Sequence, residues 1–299
     1  MASVPSPREF DVSADFGFIP EKEPLQCLPE YFSPWEEVAR DLPQLVTKAE
    51  DFRQMIKETI VNLSSEDEWK RAHLVLACIS HSYVWCKRDK GVAKILPKCL
   101  AVPWVAVAKH LDIPPVITHY SYTLYNWRYV DPSRWHGNPV LPDGLIYEGV
   151  SERPLQYSGG SAAQSSVFQV LDAALGVFHP KDTDSCSGGK FLERMQYYMP
   201  PKHRAFIKAV SNGPSIRNFV LTSGDPRLVE EYNHCVKKLK DFRNVHLQVV
   251  ARYIMIPANR DKENNKQGMA LRGTGGSGLM SFLKQIRNET ASTVSYNNN

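Results

Sequence analysis

No two of the six cysteines, Cys27, Cys78, Cys86, Cys99, Cys186 and Cys235, form a CxxC pair, and the nine histidines include no H-x-x-x-H spacing. A dithiol redox motif and a zinc site therefore have no basis in the sequence. The first thirty residues lack the basic, apolar and small-residue succession of a secretory signal, so reduced thiols in a cytoplasmic protein are expected. Apolar runs such as residues 73–79 are far too short to cross a bilayer, and no membrane partner is expected. A formal charge of +4, carried by scattered basic residues without a lysine-rich tail, gives no footprint for nucleic acid. Strand-period alternation is scarce and nothing repeats at a fixed period.

What remains is helical. With 42% hydrophobic and 23% charged residues among 299, the chain can bury a sizeable core. The expected class is all-α in two lobes: a small N-terminal helical lobe over residues 1–127 and a larger C-terminal one over 128–299. Ser33 and Pro34 open a helix, Pro43 opens another toward Leu63, and Ser65 with Glu68 forms a capping box for a segment through Cys86. Pro97, Pro103, Pro114 and Pro115 are expected to leave a short helix and an extended approach to Trp127. Helical patterning resumes over Ser161–Phe178, Lys190–Met199, Pro201–Ser211 and Pro214–Leu221, and a last helix covers Leu279–Glu289.

The clearest helix starts at Asp225, a capping residue followed by a first-turn proline, and stops before Pro257. Leu228, Tyr232, Cys235, Leu239, Phe242, His246, Val249 and Tyr253 recur at steps of four and three and share one face. His246 stands where packing alone favours leucine. A buried neutral imidazole either satisfies its nitrogens by hydrogen bonds or gives one to a metal. Arg243, one turn earlier, is either a solvated charge or a cation placed to meet the propionate of a haem. No CxxCH occurs, so a haem here would be held non-covalently.

Other motifs carry two readings each. Gly273 to Gly278 lacks the lysine of a phosphate loop and reads as a lid carrying Thr274 or as a linker. Ser161 follows Gly159 and Gly160 as a helix cap or pocket hydroxyl, without the G-x-S-x-G of a hydrolase. Asp172 lies among Phe168, Leu171 and Leu175, where it faces solvent or needs a partner such as Arg243. Tyr147, between Leu145-Ile146 and Val150, is a packed tyrosine or, once phosphorylated, a dock for an SH2-type partner. The second option makes the chain a non-catalytic helical signalling module.

Several stretches together resemble the indoleamine 2,3-dioxygenase family, in particular its second, lower-activity branch. They are residues 137–139, 143–149, 158–166, 198–201, 246–248 and 273–276, joined by Leu28-Pro29, Pro114-Pro115 and Asn126-Trp127 nearer the start. The resemblance implies a haem dioxygenase of tryptophan catabolism, in the kynurenine pathway. It inserts both atoms of O2 across the indole C2–C3 bond of L-tryptophan, or a related indoleamine, to give N-formylkynurenine. It also implies haem b with His246 as proximal iron ligand, Arg243 at a propionate and Asp172 supporting Arg243. Ser161 and Ala162 then line the distal pocket, and Thr274 sits on a lid over the substrate.

The chain departs from that family between Asp131-Pro132-Ser133 and Trp135-His136-Gly137, where about a hundred residues are missing. The missing stretch holds the family's distal phenylalanines and the arginine that clamps the substrate carboxylate. Tyr129 occupies that arginine's offset from the tryptophan matched by Trp135, and neither Arg128 nor Arg134 belongs to the motif. His119, Tyr122 and Thr123 also replace different distal side chains. Uncovering even about 1,000 Å2 of apolar surface costs roughly 25 kcal/mol, more than the roughly 5–15 kcal/mol of net stability of a domain. Repacking or oligomerisation must therefore accompany the cut, and weak or absent dioxygenation is expected.

Overall fold

The computed structural model describes residues 4–47, 61–85, 95–126, 166–177, 188–256 and 279–294. The chain is all-α, and among the described residues the only extended pairing is an isolated bridge between Ser13 and Gly17. No helix among them is long and apolar enough to cross a membrane. The chain divides into two compact units.

The N-terminal unit comprises Ser6–Val167 with Tyr197–Phe206. In it, α2 (Glu66–Trp85) packs against α1 (Ser33–Thr47), α3 (Lys98–His110) and α4 (His119–Leu124). Phe32, Leu42, Leu74, Leu76, Ile79 and Leu100 are fully buried at its centre. Glu36 accepts hydrogen bonds from the Leu28 N–H at 3.0 Å and from Arg71 Nε and Nη2 at 2.9 and 2.6 Å, so this ion pair pins the first helix to the second. Glu68 N–H donates to Ser65 Oγ, as the capping box requires, but the Glu68 carboxylate returns to the Ser64 N–H at 2.8 Å rather than to that of Ser65.

Prolines break fewer helices here than their chemistry suggests. Pro43 lies inside α1 and does not open a new helix, and Pro103 lies inside α3. An interior proline costs about 3 kcal/mol. Leu100, Trp104 and Val107 recur at helical spacing and are buried, and each contributes roughly 1.5–3 kcal/mol, which offsets the lost backbone bond. The approach to Trp127 is likewise not extended throughout. Thr118 and Ser121 form a reciprocal capping box that starts α4.

The C-terminal unit comprises Phe168–Gln196 and Ile207–Asn299, with residues Met1–Pro5. It holds most of α5 (residues 166–175), α6 (Gly188–Tyr197), the end of α7 (Pro201–Ser211), α8 (Ile216–Thr222), α9 (Pro226–Val250) and α10 (Leu279–Ser292). Asp225 caps α9 by accepting from the Arg227 N–H at 2.9 Å, and Pro226 occupies the first turn. A π-helical turn, Ala251–Met255, extends the helix. Gly176 ends α5 at φ +64°, with the Val177 N–H returning to the Asp172 carbonyl at 2.8 Å. A Cβ there would stand 3.2 Å from Arg217 Cβ. Arg217 itself donates to Tyr232 Oη at 3.2 Å and to the Thr293 carbonyl, tying α8 to α9 and to the end of α10.

Candidate functional site

The long helix α9 carries two adjacent apolar seams, of which, among the described residues, one is buried and the other exposed. Val229, Tyr232, Val236, Leu239, Arg243, Leu247 and Val250 are buried. Leu228, Cys235, Phe242 and Tyr253, expected on the buried face, are exposed. The covered seam is rotated by about one residue from the expected one, and His246 stands at its edge, half-buried. Burial lowers the pKa of its imidazole below the ordinary value, which favours the neutral form that can donate a lone pair.

Around His246 the open seam is apolar. Phe242 is 48% exposed, Val245 57% and Tyr253 59%, while Val249 is half-buried. Among the described residues no three of His, Cys, Asp and Glu converge to hold a metal ion. A neutral, half-buried imidazole at the edge of an apolar strip is of a kind that could hold the iron of a haem. The residues present on this side fit the group.

Arg243 is not a solvated charge. It is 6% exposed, its Nη1 donates to Thr290 Oγ1 on α10, and its Nη2 donates to both carboxylate oxygens of Asp172 on α5 at 2.8 Å. Its guanidinium also lies 5.4 Å from the centre of the Phe168 ring, which in turn is 5.1 Å from that of Phe242. Asp172 is 5% exposed, so the solvent-facing reading of that residue is overturned as well. These contacts hold the cation one turn before His246 and leave its Nε–H uncommitted among the described residues.

Ser161, Ala162, Thr274 and Tyr147 lie outside the described residues, as do Arg128, Tyr129, Arg134 and Trp135. Sequence reasoning missed Thr290, whose hydroxyl is fully buried against Arg243 and also donates to the Ile286 carbonyl at 2.8 Å. A threonine inside the last helix carries no signal of that contact.

Two matches to the family model described as indoleamine 2,3-dioxygenase, over residues 6–140 and 129–293, span nearly the whole chain. The chain belongs to the indoleamine 2,3-dioxygenase family. Indoleamine 2,3-dioxygenase 2 of Homo sapiens is 30% identical over 95% of this chain and 94% of its own length, and that of Mus musculus is 31% identical over 94% and 93%. Both names agree with the second branch of the indoleamine 2,3-dioxygenases. A protein named myoglobin from Haliotis madaka is 28% identical over 94% of this chain and 97% of its own. The two matches to the family model overlap at residues 129–140, the stretch that contains the expected cut. The human match runs over 390 positions, whereas 95% of 299 residues is about 284, which leaves about 106 positions opposite no residue of this chain.

Proposed function

We propose that this chain is a haem dioxygenase that inserts O2 across the indole C2–C3 bond of L-tryptophan, giving N-formylkynurenine, with turnover slower than that of its full-length relatives. The observation that carries the reading is His246, half-buried beside an exposed apolar seam, one turn after an arginine held by Asp172 and Thr290. Membership of the indoleamine 2,3-dioxygenase family supports it.

His246 would hold the iron of the haem, its neutral imidazole favoured by burial. Phe242, Val245 and Val249 would give the cofactor an apolar rest, and Arg243 would offer its Nε–H to a propionate, with Asp172 and Thr290 fixing the guanidinium. Bound haem supplies a reducible iron that activates dioxygen. Ser161 and Ala162 are assigned to the distal wall and Thr274 to a lid. Slow turnover follows from the missing segment, which in the family bears the carboxylate clamp; without it the substrate loses a charge-assisted contact that fixes its orientation.

A second reading has its own support. The Haliotis relative is named myoglobin, and a chain without the clamp in which His246 held haem would remain suited to reversible oxygen binding. Incubating the haem-loaded protein with L-tryptophan, O2 and a reductant, and following N-formylkynurenine together with O2 consumption, decides between the two. The dioxygenase reading expects product in step with O2 consumed. Reversible oxygenation with no product contradicts it and leaves the oxygen-binding reading.

A further inference from the structure

Within the N-terminal unit, a cavity of about 990 Å3 is lined by no residue of α9 and by none of the residues assigned to haem. Its lining carries five lysines and arginines against six aspartates and glutamates, a near balance that disfavours a polyanion such as a nucleotide and favours a ligand bearing both signs. Six of these charges are paired: Asp11 with Lys202 at 3.0 Å, Asp67 with Lys22 at 3.3 Å, Asp112 with Arg204 at 2.6 Å and Arg71 with Glu36 at 2.6 Å. Lys70 is different. It is half-buried, its Nζ lies 5.7 Å from the centre of the Tyr125 ring, and among the described residues it has no carboxylate partner.

Opposite in character is His203, which is 6% exposed and whose Nδ1 has no hydrogen-bond partner among the described residues. Its ring is held edge-on to Phe18 at 5.0 Å between centroids and hydrogen-bonds the backbone at Asp11. With the proton on the other nitrogen, Nδ1 is a buried lone pair facing no donor, an arrangement that costs about 1–3 kcal/mol unless a ligand or water meets it. Burial depresses the basicity of the ring, and the charge of Lys70, another residue of the same lining, lowers it further. Val12, Leu111 and Leu124 add buried apolar wall to the same cavity.

We propose that this cavity binds a free amino acid with an apolar side chain, its carboxylate against Lys70 and its ammonium against Nδ1 of His203. An anion alone would leave the histidine lone pair unmet, and an amine alone would face Lys70 with like charge. The site is independent of haem and of the proposed dioxygenation.

L-Leucine, which lacks an indole, is the probe, titrated by calorimetry into the haem-loaded full chain. Saturable binding is expected, weakened about tenfold or more when the carboxylate is esterified or the ammonium is absent, as in L-leucine methyl ester and 4-methylpentanoate. Lys70→Gln and His203→Phe each weaken it by about the same factor, and Lys70→Gln, at a half-buried position, keeps the fold. His246→Ala leaves it unchanged, which separates this site from the haem reading. Absence of saturable binding, equal binding of 4-methylpentanoate, or equal affinity in the Lys70→Gln variant overturns the assignment.

Discussion

The Nη2 of Arg243 straddles the two carboxylate oxygens of Asp172, 2.8 Å from each, with both side chains at least nine-tenths buried. This link joins α9 to α5 one turn before the imidazole of His246. Removing one member of a buried pair leaves the other charge without its counter-ion, at about 3–5 kcal/mol. Arg243→Ala and Asp172→Ala should each lower unfolding stability by about that amount in chemical denaturation. The double variant should cost clearly less than the sum of the two, because both substitutions break one shared interaction. Additive losses would show that the pair is not coupled.

Two buried histidines tie stability to pH. Burial holds the pKa of His73 and of His203 down to about 4, against an ordinary value near 6.5. The unfolded chain therefore binds protons that the folded chain refuses. The stability associated with each neutral ring is complete above pH 6.5 and is lost as the pH falls toward 4. Between pH 7 and pH 5 each group should cost about 2 kcal/mol. Denaturation of wild type and His73→Phe at both values checks this, and an equal drop in the two proteins would contradict it.

Tyr232 anchors α9 from its buried seam. Its hydroxyl donates to the Leu175 carbonyl at 2.5 Å and accepts from Arg217, next to the turn at Gly176. Tyr232→Phe should lower stability by about 1–3 kcal/mol without altering haem uptake. Gly176→Ala should cost more than an ordinary surface change, because the residue takes a left-handed backbone and the new Cβ crowds Arg217. Thermal melts of both variants measure these effects.

Much of α9 was legible in the sequence because its cap, first-turn proline and apolar period all speak locally. Its rotation was not. Two apolar seams run side by side, periodicity weights them alike, and Arg243 looks like a marker of the solvent face although Asp172 and Thr290 bury it. Only partners distant in the chain settle which seam is covered. The short helix after Pro115 hid for a related reason. Its start depends on a Thr118–Ser121 box that prolines just upstream obscure. Pro43 and Pro103 misled because burial at helical spacing outweighs a missing N–H. His246 stood out in the sequence because a polar ring broke an otherwise greasy period.

The haem titration of the purified chain, compared between wild type and His246→Ala, reaches the central claim most directly. The wild type should take up haem saturably with the Soret band of an imidazole-ligated iron. His246→Ala should bind haem at least about tenfold more weakly with a shifted band, while circular dichroism reports an unchanged helical fold. Superimposable spectra and equal affinities in the two proteins would contradict the assignment of His246 as the iron ligand.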